Sequence, residues 1–405
     1  MADRRSFLIQ TVGGLTGISL LPEVLPAEPF RLAAPVRVGL IGAGRQGRAI
    51  IGELQQLPDV NLTAICDVNP ARLRTALERA PGAATAPDHQ ALLGRADVDA
   101  VIIATPTHLH RAVAVDAIGS GKHVFCEAPL AHTLDDARAM AQAAASARSV
   151  VAAGYQARAN PMYLRAASFL GSDTLREPVS FSAVSNRKTS WRFPASDPAG
   201  EQAANWRLDP KVTTGLPGEL GSHQFDVALW MLGGRPARIT GRGTIRLHDD
   251  GRQVPDTVSA EMVWANGVAL QWSATLASSY GGQYELLHCV NAAIRLAWTH
   301  AWLFKEVDSP TQGWEVYATR QQFYNDEGIV LVADATKLAA QGRLKEGAGL
   351  PHSPLHYSLA DFLAAATAGK PPACSFETAA RATALGILTH EAVTTGQTVT
   401  VPETL

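Results

Sequence analysis

A glycine-rich stretch near the N-terminal end of the 405-residue chain has a spacing that suits binding of a dinucleotide. Gly42-Ala43-Gly44-Arg45-Gln46-Gly47 has the G-x-G-x-x-G pattern, in which Gly42 permits a tight turn and Gly44 lets the backbone approach a pyrophosphate. Gly47 then lets the following helix pack closely on the preceding strand. The phosphate charge would lie against the unsatisfied N–H groups at the start of that helix.

An acidic residue follows at the distance that this kind of site requires. Asp67 lies 20 residues after Gly47 and ends an apolar run, where its carboxylate can accept a hydrogen bond from an adenosine ribose hydroxyl. This favours NAD over NADP because a carboxylate repels a 2′-phosphate, although Arg45 and Arg72 could pair with such a phosphate and permit NADP. The alternative is that Asp67 is only a turn residue or a helix cap at the end of its strand.

The elements that must position these residues alternate along the chain. Apolar strand-like runs, such as 35–41, 60–66 and 98–104, are separated by segments with helical periodicity. Such alternation predicts a doubly wound parallel sheet whose ligands bind at the carboxyl ends of the strands. Two of those ends are rich in polar side chains: 105–110, with the sequence TPTHLH, and 127–129, with the sequence EAP.

The order of these motifs resembles the Gfo/Idh/MocA family, the glucose–fructose oxidoreductase and inositol dehydrogenase group. The resemblance rests on GAGRQG, Cys66-Asp67, ATPTHLH, GKHVFCEAP and GYQARANP, and is dense over residues 36 to about 160. It implies that His110 is the family's usual histidine, with a mainly structural role. The residues assigned to the cofactor are Gly42, Gly44, Arg45, Gln46, Gly47, Asp67, Thr105, Pro106, His110, Glu127 and Gln156.

The resemblance also implies where the reactive centre lies. In the family, the stretch around 218–226 is a helix whose acid and histidine face the nicotinamide. Here they are Glu219 and His223, which share a face of a helix at a spacing of four residues. His223 could act as general acid or base, oriented by Glu219 or Asp226; alternatively, it is a histidine satisfied within the domain interface. The catalytic candidates are His223, Glu219 and Glu127.

Two departures from the family pattern bear on the reaction. Ala128 stands where most family dehydrogenases have the lysine of a Glu-Lys-Pro triplet, and Glu219 stands where aspartate is usual. The expected function is an NAD(P)-dependent oxidoreductase acting on a sugar, sugar derivative or cyclitol. The alternatives are an NAD-dependent glycosidase or lyase that oxidises a sugar hydroxyl transiently and recycles its cofactor, and a non-catalytic binding protein.

Polar donors beside aromatic rings suit a sugar, whose C–H face packs on rings while its hydroxyls form hydrogen bonds. The residues predicted to bind substrate are Arg158, Trp206, Arg207 and His223; further candidates are Tyr155, Gln156, Arg187, Lys188, Trp191 and Tyr280. At least one of His108 and His110, which follow a strand end, is expected near the nicotinamide.

The second half of the chain has a different pattern. Strand-like runs at 179–184, 258–264 and 268–276 include a hairpin through Asn266-Gly267. We therefore predict an α/β fold with a Rossmann domain at 34–153 and a second α/β domain at 154–405. The second domain is expected to carry an open, mostly antiparallel sheet, which in the family often forms a dimer or tetramer interface.

Composition excludes other classes of function. The formal net charge of −2 offers no field that would attract nucleic acid or an anionic membrane. The four cysteines, at positions 66, 126, 289 and 374, are far apart and have no zinc-site spacing, so buried thiols and no metal site are expected.

The first residues resemble an export signal. Arg4-Arg5 precedes an apolar run over 7–21 that is too short and too polar for a stable transmembrane helix. Residues 1–27 are therefore interpreted as a twin-arginine leader of a periplasmic protein, unless the arginine pair occurs by chance. An exported dinucleotide protein finds little free cofactor, so we expect it to hold its own tightly.

Overall fold

The computed structural model describes residues 32–195, 198–323, 326–333 and 349–404. The proposed leader at 1–27 lies outside the described residues. Within the described part, the first domain contains β1 (Val36–Ile41), β2 (Val60–Cys66), β3 (Ala84–Ala86), β4 (Ala100–Ile103), β5 (His123–Cys126) and β6 (Val151–Ala153). Its helices are α1 (Arg45–Leu54), α2 (Pro70–Arg79), α3 (His89–Leu93), α4 (His110–Gly119) and α5 (Leu134–Ala145).

These strands form a parallel sheet in the order β3-β2-β1-β4-β5-β6, which is a Rossmann arrangement. The strands are mostly apolar because helices cover both faces of the sheet, and every residue of β4 is buried. Helix α1 directs Gly47, Ile50, Ile51 and Leu54 into the core. The predicted sheet is confirmed, and only the short β3 was not foreseen.

The second domain begins with α6 (Pro161–Ala167) and β7 (Pro178–Asn186). After them come α7 (Pro198–Ala204), α8 (Ser222–Leu232), β8 (Pro236–Thr244), β9 (Thr257–Trp264), β10 (Ala269–Thr275), β11 (Gln283–Cys289), β12 (Ala292–Ala297), β13 (His300–Lys305), β14 (Arg320–Phe323) and β15 (Asp326–Val330). The described chain ends with α9 (Pro354–Ala368), α10 (Phe376–Thr395) and β16 (Val399–Thr400).

The strands of the second domain join, within the described residues, in the order β14-β15-β13-β12-β11-β7-β10-β9-β8-β16. All neighbours are antiparallel except β7 and β10, so the predicted mostly antiparallel sheet is confirmed. Strand β9 alternates between buried and partly exposed residues, as expected for a sheet covered on one face. Gly267, with φ of +87°, makes the predicted hairpin turn between β9 and β10.

Helices α9 and α10 connect the two domains. Leu359, Phe362 and Leu363 of α9 lie in the apolar cluster formed by β1 and α1, and the ring centre of Phe362 is 5.6 Å from that of Phe125 on β5. The first half of α10 packs in the Rossmann core and its second half in the core of the other domain. The predicted second domain, 154–405, includes α9 and α10. By packing, however, α9 and the first half of α10 belong with the nucleotide-binding domain.

No helix in the described ranges is both long enough and apolar enough to cross a bilayer. The four cysteines are free and buried, and the described residues contain no group of three or more side chains suited to holding a metal ion.

Candidate active site

The glycine-rich loop joins β1 to α1 and leaves room for a ligand at one position. Gly42 has φ of +101°, and a Cβ there would lie 2.6 Å from the carbonyl oxygen of Ala104. At Gly47 a Cβ would overlap the carbonyl oxygen of Gly42. At Gly44, by contrast, a Cβ would meet no atom within 4 Å, so the backbone at the start of α1 is open to a phosphate. The loop therefore fits the dinucleotide that the motif predicts.

Asp67 is held against this loop at the end of β2. Its carboxylate accepts hydrogen bonds from the backbone N–H of Ala43 and of Asn69, both at 2.7 Å. Asp67 therefore stabilises the turn at the end of β2, which agrees with its alternative interpretation as a turn residue. A carboxylate has about four acceptor positions, so the two bonds leave capacity for a ribose hydroxyl.

Glu127 follows β5 and faces the same loop. Its Oε1 accepts a hydrogen bond of 2.8 Å from the side-chain amide of Gln46, and burial raises the pKa of the carboxyl to about 7. Gly154, which follows β6, makes room for it, since a Cβ there would lie 2.6 Å from Glu127 Oε2. Glu127 and Gln46 thus connect the glycine-rich loop to the end of β5.

His110 does not face the cofactor site. Its side chain is fully buried, and its ring nitrogens each lie 2.9 Å from a backbone oxygen, Nδ1 from that of Pro129 and Nε2 from that of Thr105. The assignment of His110 as a cofactor contact is therefore wrong. The interpretation of this histidine as structural agrees with its geometry, because the imidazole connects the ends of β4 and β5.

Glu219 lies in a π-helical turn, Pro217–Gly221, that leads into α8. Its Oε1 accepts a 2.8 Å hydrogen bond from the Thr107 hydroxyl, and its Oε2 accepts a 2.7 Å bond from Nε of Arg207. Thr107 belongs to the first domain and Arg207 to the second. The buried carboxylate therefore fixes the cleft between the domains, and π-helical turns are frequent at functional sites.

His223 stands in the first turn of α8 and is partly buried. The imidazole packs 5.3 Å from the Tyr155 ring and 6.3 Å from the Trp298 ring, and Nδ1 is buried without a hydrogen-bond partner among the described residues. Burial lowers the pKa of His223 to about 4. At neutral pH the ring is therefore uncharged and able to accept a proton.

The predicted orienting role of Asp226 is wrong. Both carboxylate oxygens of Asp226 accept hydrogen bonds from Arg158, with Nε at 2.9 Å and Nη2 at 2.8 Å, and the Arg158 guanidinium stacks 4.9 Å from the Trp230 ring. Arg158 is therefore part of a largely buried ion pair, and its contact with substrate stays a prediction. Since Glu219 is also engaged elsewhere, neither acid orients His223.

Other predicted residues are brought to the cleft or left outside it. Trp206 is buried between the His108 ring, at 5.6 Å, and the Arg207 guanidinium, at 4.3 Å. Gln156 is partly buried in the short helix that follows β6. Tyr280 is 91% exposed in a loop.

Trp298 lies beside His223 and was not predicted as a site residue. This residue occupies the two-residue turn between β12 and β13 with φ of +58°, a conformation that glycine or asparagine usually supplies. Asn160 donates a 2.7 Å hydrogen bond to its carbonyl oxygen, and its indole N–H has no partner in the described part of the chain. Only the pairing of β12 with β13 could have predicted a turn at this position, and so a tryptophan beside His223.

Two family models match the chain. One, described as "Oxidoreductase family, NAD-binding Rossmann fold", matches residues 36–155, and "GFO/IDH/MocA C-terminal domain" matches 163–295. Together they cover the whole first sheet, the second sheet from β7 into β12, and more than half of the chain. The chain belongs to the Gfo/Idh/MocA family. Its first domain is an NAD-binding Rossmann domain.

Members of the Gfo/Idh/MocA family with differing activities resemble this chain. Inositol 2-dehydrogenase 1 of Saccharopolyspora erythraea is 28% identical over 249 residues, which are 61% of this chain and 69% of the relative. Glycosyl hydrolase family 109 protein 1 of Shewanella sp. (strain ANA-3) is 40% identical over 110 residues, about a quarter of each chain.

The fold of this Gfo/Idh/MocA protein also occurs in a solved structure. The structure described as levoglucosan dehydrogenase in complex with NADH and levoglucosan has a TM-score of 0.72 and 21% identity. The match covers 91% of this chain and all of the other, so both domains of the fold are shared.

Proposed function

We propose that this protein transfers a hydride between NAD and a hydroxyl-bearing carbon of a sugar, sugar derivative or cyclitol. The observation that carries the proposal is His223, an uncharged histidine in the cleft beside two aromatic rings. The names of two similar proteins, an inositol dehydrogenase and a levoglucosan dehydrogenase, support this substrate class. The cofactor would be NAD, with NADP as the less favoured alternative because of Asp67.

His223 would act as the general base in oxidation and as the general acid in reduction. Nε2 is the nitrogen for this role because Nδ1 is buried. It would take the proton of the substrate hydroxyl. NAD, held by the glycine-rich loop, would supply the hydride acceptor for the same carbon. A histidine with a lowered pKa is a weak base but is in the correct protonation state across the neutral range.

The residues around His223 would position the substrate. Glu219 holds Arg207 and Thr107 in place across the cleft, and Trp206 and Trp298 offer apolar faces for the C–H side of a ring. Glu127, Gln46 and the open backbone at Gly44 would hold the dinucleotide.

The test is hydride transfer to NAD with a panel of cyclitols and sugars, followed by absorbance of NADH. His223→Gln should abolish turnover and leave NADH binding unchanged, as measured by fluorescence titration. His288→Gln, which changes an exposed histidine on β11, is the matched control and should be fully active. Turnover by the His223 variant would show that the proposed base is misplaced.

The alternative is an NAD-dependent glycoside hydrolase or lyase. It is favoured by the family 109 glycosyl hydrolase segment and by Ala128 in place of lysine after Glu127. Such an enzyme releases free sugar from a glycoside with no net change in the oxidation state of the cofactor. Product analysis with a nitrophenyl glycoside would separate the two reactions.

We also propose that the cofactor is held through many turnovers and that the protein is exported to the periplasm by the twin-arginine route. Exhaustive dialysis, denaturation and chromatography of the released dinucleotide would test retention, and an empty protein would contradict it. A dimer or tetramer formed through the sheet of the second domain is proposed as well, and light scattering of the purified protein would test it.

A further inference from the structure

Arginine side chains from both domains converge beside the glycine-rich loop. Burial lowers the pKa of Arg45 on the loop, and the nearby positive charges of Arg207, Arg187 and Arg48 lower it further. Arg207 and Arg187 belong to the second domain, so the charges approach one another across the cleft.

A chain of contacts connects two of these arginines. The Arg45 guanidinium lies 5.8 Å from the centre of the Phe193 ring, and the backbone N–H of Phe193 donates a 2.7 Å hydrogen bond to the Asn205 side chain. Asn205 directly precedes Trp206, on which Arg207 stacks at 4.3 Å. The proximity of Arg45 and Arg207 is therefore built into the packing between the domains.

These cations have few anionic partners. In the described residues, Arg45 and Arg187 form no ion pair with an acid, and Arg207 uses only Nε, to Glu219. Other arginines are neutralised locally; Arg192, for example, binds both Asp250 and Glu201. Since the whole chain has a formal net charge of −2, the cluster does not reflect general basicity. Like charges repel one another, so the cleft is suited to an anion.

The pyrophosphate of NAD accounts for one side of this cluster. Arg45 and Arg48 lie on the loop and helix that would hold it. Arg207 lies on the other side, bonded to Glu219, which precedes His223 by four residues. The guanidinium of Arg207 is held in place by stacking on Trp206 and by the bond from Nε to Glu219. Its two terminal nitrogens remain available to donate a pair of parallel hydrogen bonds to a carboxylate or phosphate.

We infer that the substrate itself is anionic: a sugar or cyclitol bearing a carboxylate or phosphate group that Arg207 binds, with Arg187 adding positive charge to the cleft. This inference rests on the proposed function, because it assigns the substrate class of the same site. Binding by charge requires no turnover, so the two proposals can fail separately.

The test is calorimetric titration of the NADH-loaded protein with D-glucose, D-glucuronate and D-glucose 6-phosphate, and with inorganic phosphate as a probe without a sugar ring. At least one anion should bind about tenfold more tightly than glucose, and binding should weaken with salt. Arg207→Gln should remove most of that preference, and Arg187→Gln, which removes a nearby positive charge, should reduce it by a smaller factor. Arg381→Gln changes an exposed arginine on α10 and should have no effect.

Equal or tighter binding of glucose, or no binding of any anion, would overturn the inference. Anion binding that occurs only in the NADH-free protein and is lost when NADH is added would overturn it as well. The arginines would then bind only the phosphates of the cofactor. Anion binding that depends on Arg207 and Arg187, without hydride transfer to any sugar, would support the anion site and refute the proposed oxidoreductase.

Discussion

The environment of single side chains decides what the cleft can do. His223 and Glu127 are both removed from water, and the effect on each favours the uncharged form: the pKa of His223 falls to about 4 and that of Glu127 rises to about 7. The imidazole is therefore ready to accept a proton at neutral pH. The carboxyl titrates within the physiological range, where a cationic ligand nearby would favour its ionised form.

The lowered pKa of His223 has a consequence for stability. The unfolded chain binds a proton at this position below about pH 6.5, whereas the native protein does so only near pH 4. Stability from the neutral imidazole is therefore complete above pH 6.5 and is lost as the pH falls towards 4. Relative to His223→Gln, the wild-type protein should lose up to about 2 kcal/mol between neutral pH and about pH 5.

Urea unfolding of both proteins at several pH values would measure this difference. His288→Gln should instead follow the wild type at every pH, because its ring is exposed. Parallel curves for the wild type and His223→Gln would contradict the burial of the imidazole.

Residue types and spacing predicted the glycine-rich loop, because its chemistry depends on a short stretch of chain, whereas His223 was identified only through the family resemblance. They did not predict the partners of Arg158 and His110. Arg158 meets an acid 68 residues away, and His110 contacts backbone oxygens that any sequence would offer. Such contacts depend on tertiary packing.

At the scale of elements, helix α1 combines a position that tolerates no side chain with one that has ample space. A Cβ at Gly47 would overlap the Gly42 carbonyl oxygen, whereas one at Gly52 would meet no atom within 4 Å. Alanine at position 47 therefore tests the close packing of the loop, whereas alanine at position 52 tests helix propensity alone.

Gly47→Ala should lower the melting temperature and weaken NADH binding, because the loop must move to admit a methyl group. Gly52→Ala should stabilise the protein by about 0.5–1 kcal/mol and leave NADH affinity unchanged, since alanine is the better helix former. Thermal unfolding and fluorescence titration measure both effects. A destabilised Gly52 variant would contradict the open space at that position.

Strand and helix limits were predicted best where apolar periodicity was long. The predicted bounds of β2, 60–66, are those of the strand in the structure. The π-helical turn at Pro217–Gly221 and the pairing of β7 with β10 have no local pattern, because both arise from packing around the second sheet.

Over the whole molecule, two hydrophobic cores share one helix. Residues of α10 such as Phe376 and Ala379 lie in the Rossmann core, whereas Leu385 and Leu388 lie in the core of the second domain. Each domain thus limits the movement of the other, and the cleft that holds Glu219 and His223 lies between them.

A substitution in α9 should therefore impair the nucleotide-binding domain. Phe362 is fully buried against Phe125, so Phe362→Ala should cost about 3–5 kcal/mol and weaken NADH binding, although it lies far from the glycine-rich loop in sequence. Urea unfolding and NADH titration measure the two effects. Tyr280→Ala, at a site that is 91% exposed, is the control and should change neither.

The docking of α9 on the first sheet also governs how the protein is made. The ribosome completes β6 at Ala153 some 200 residues before it reaches Pro354, where α9 begins. During that interval the nascent Rossmann sheet has its six strands but lacks the helix that covers Phe125. The NAD site therefore matures late in translation, and a chain interrupted between the two segments exposes an apolar surface that chaperones and proteases can recognise.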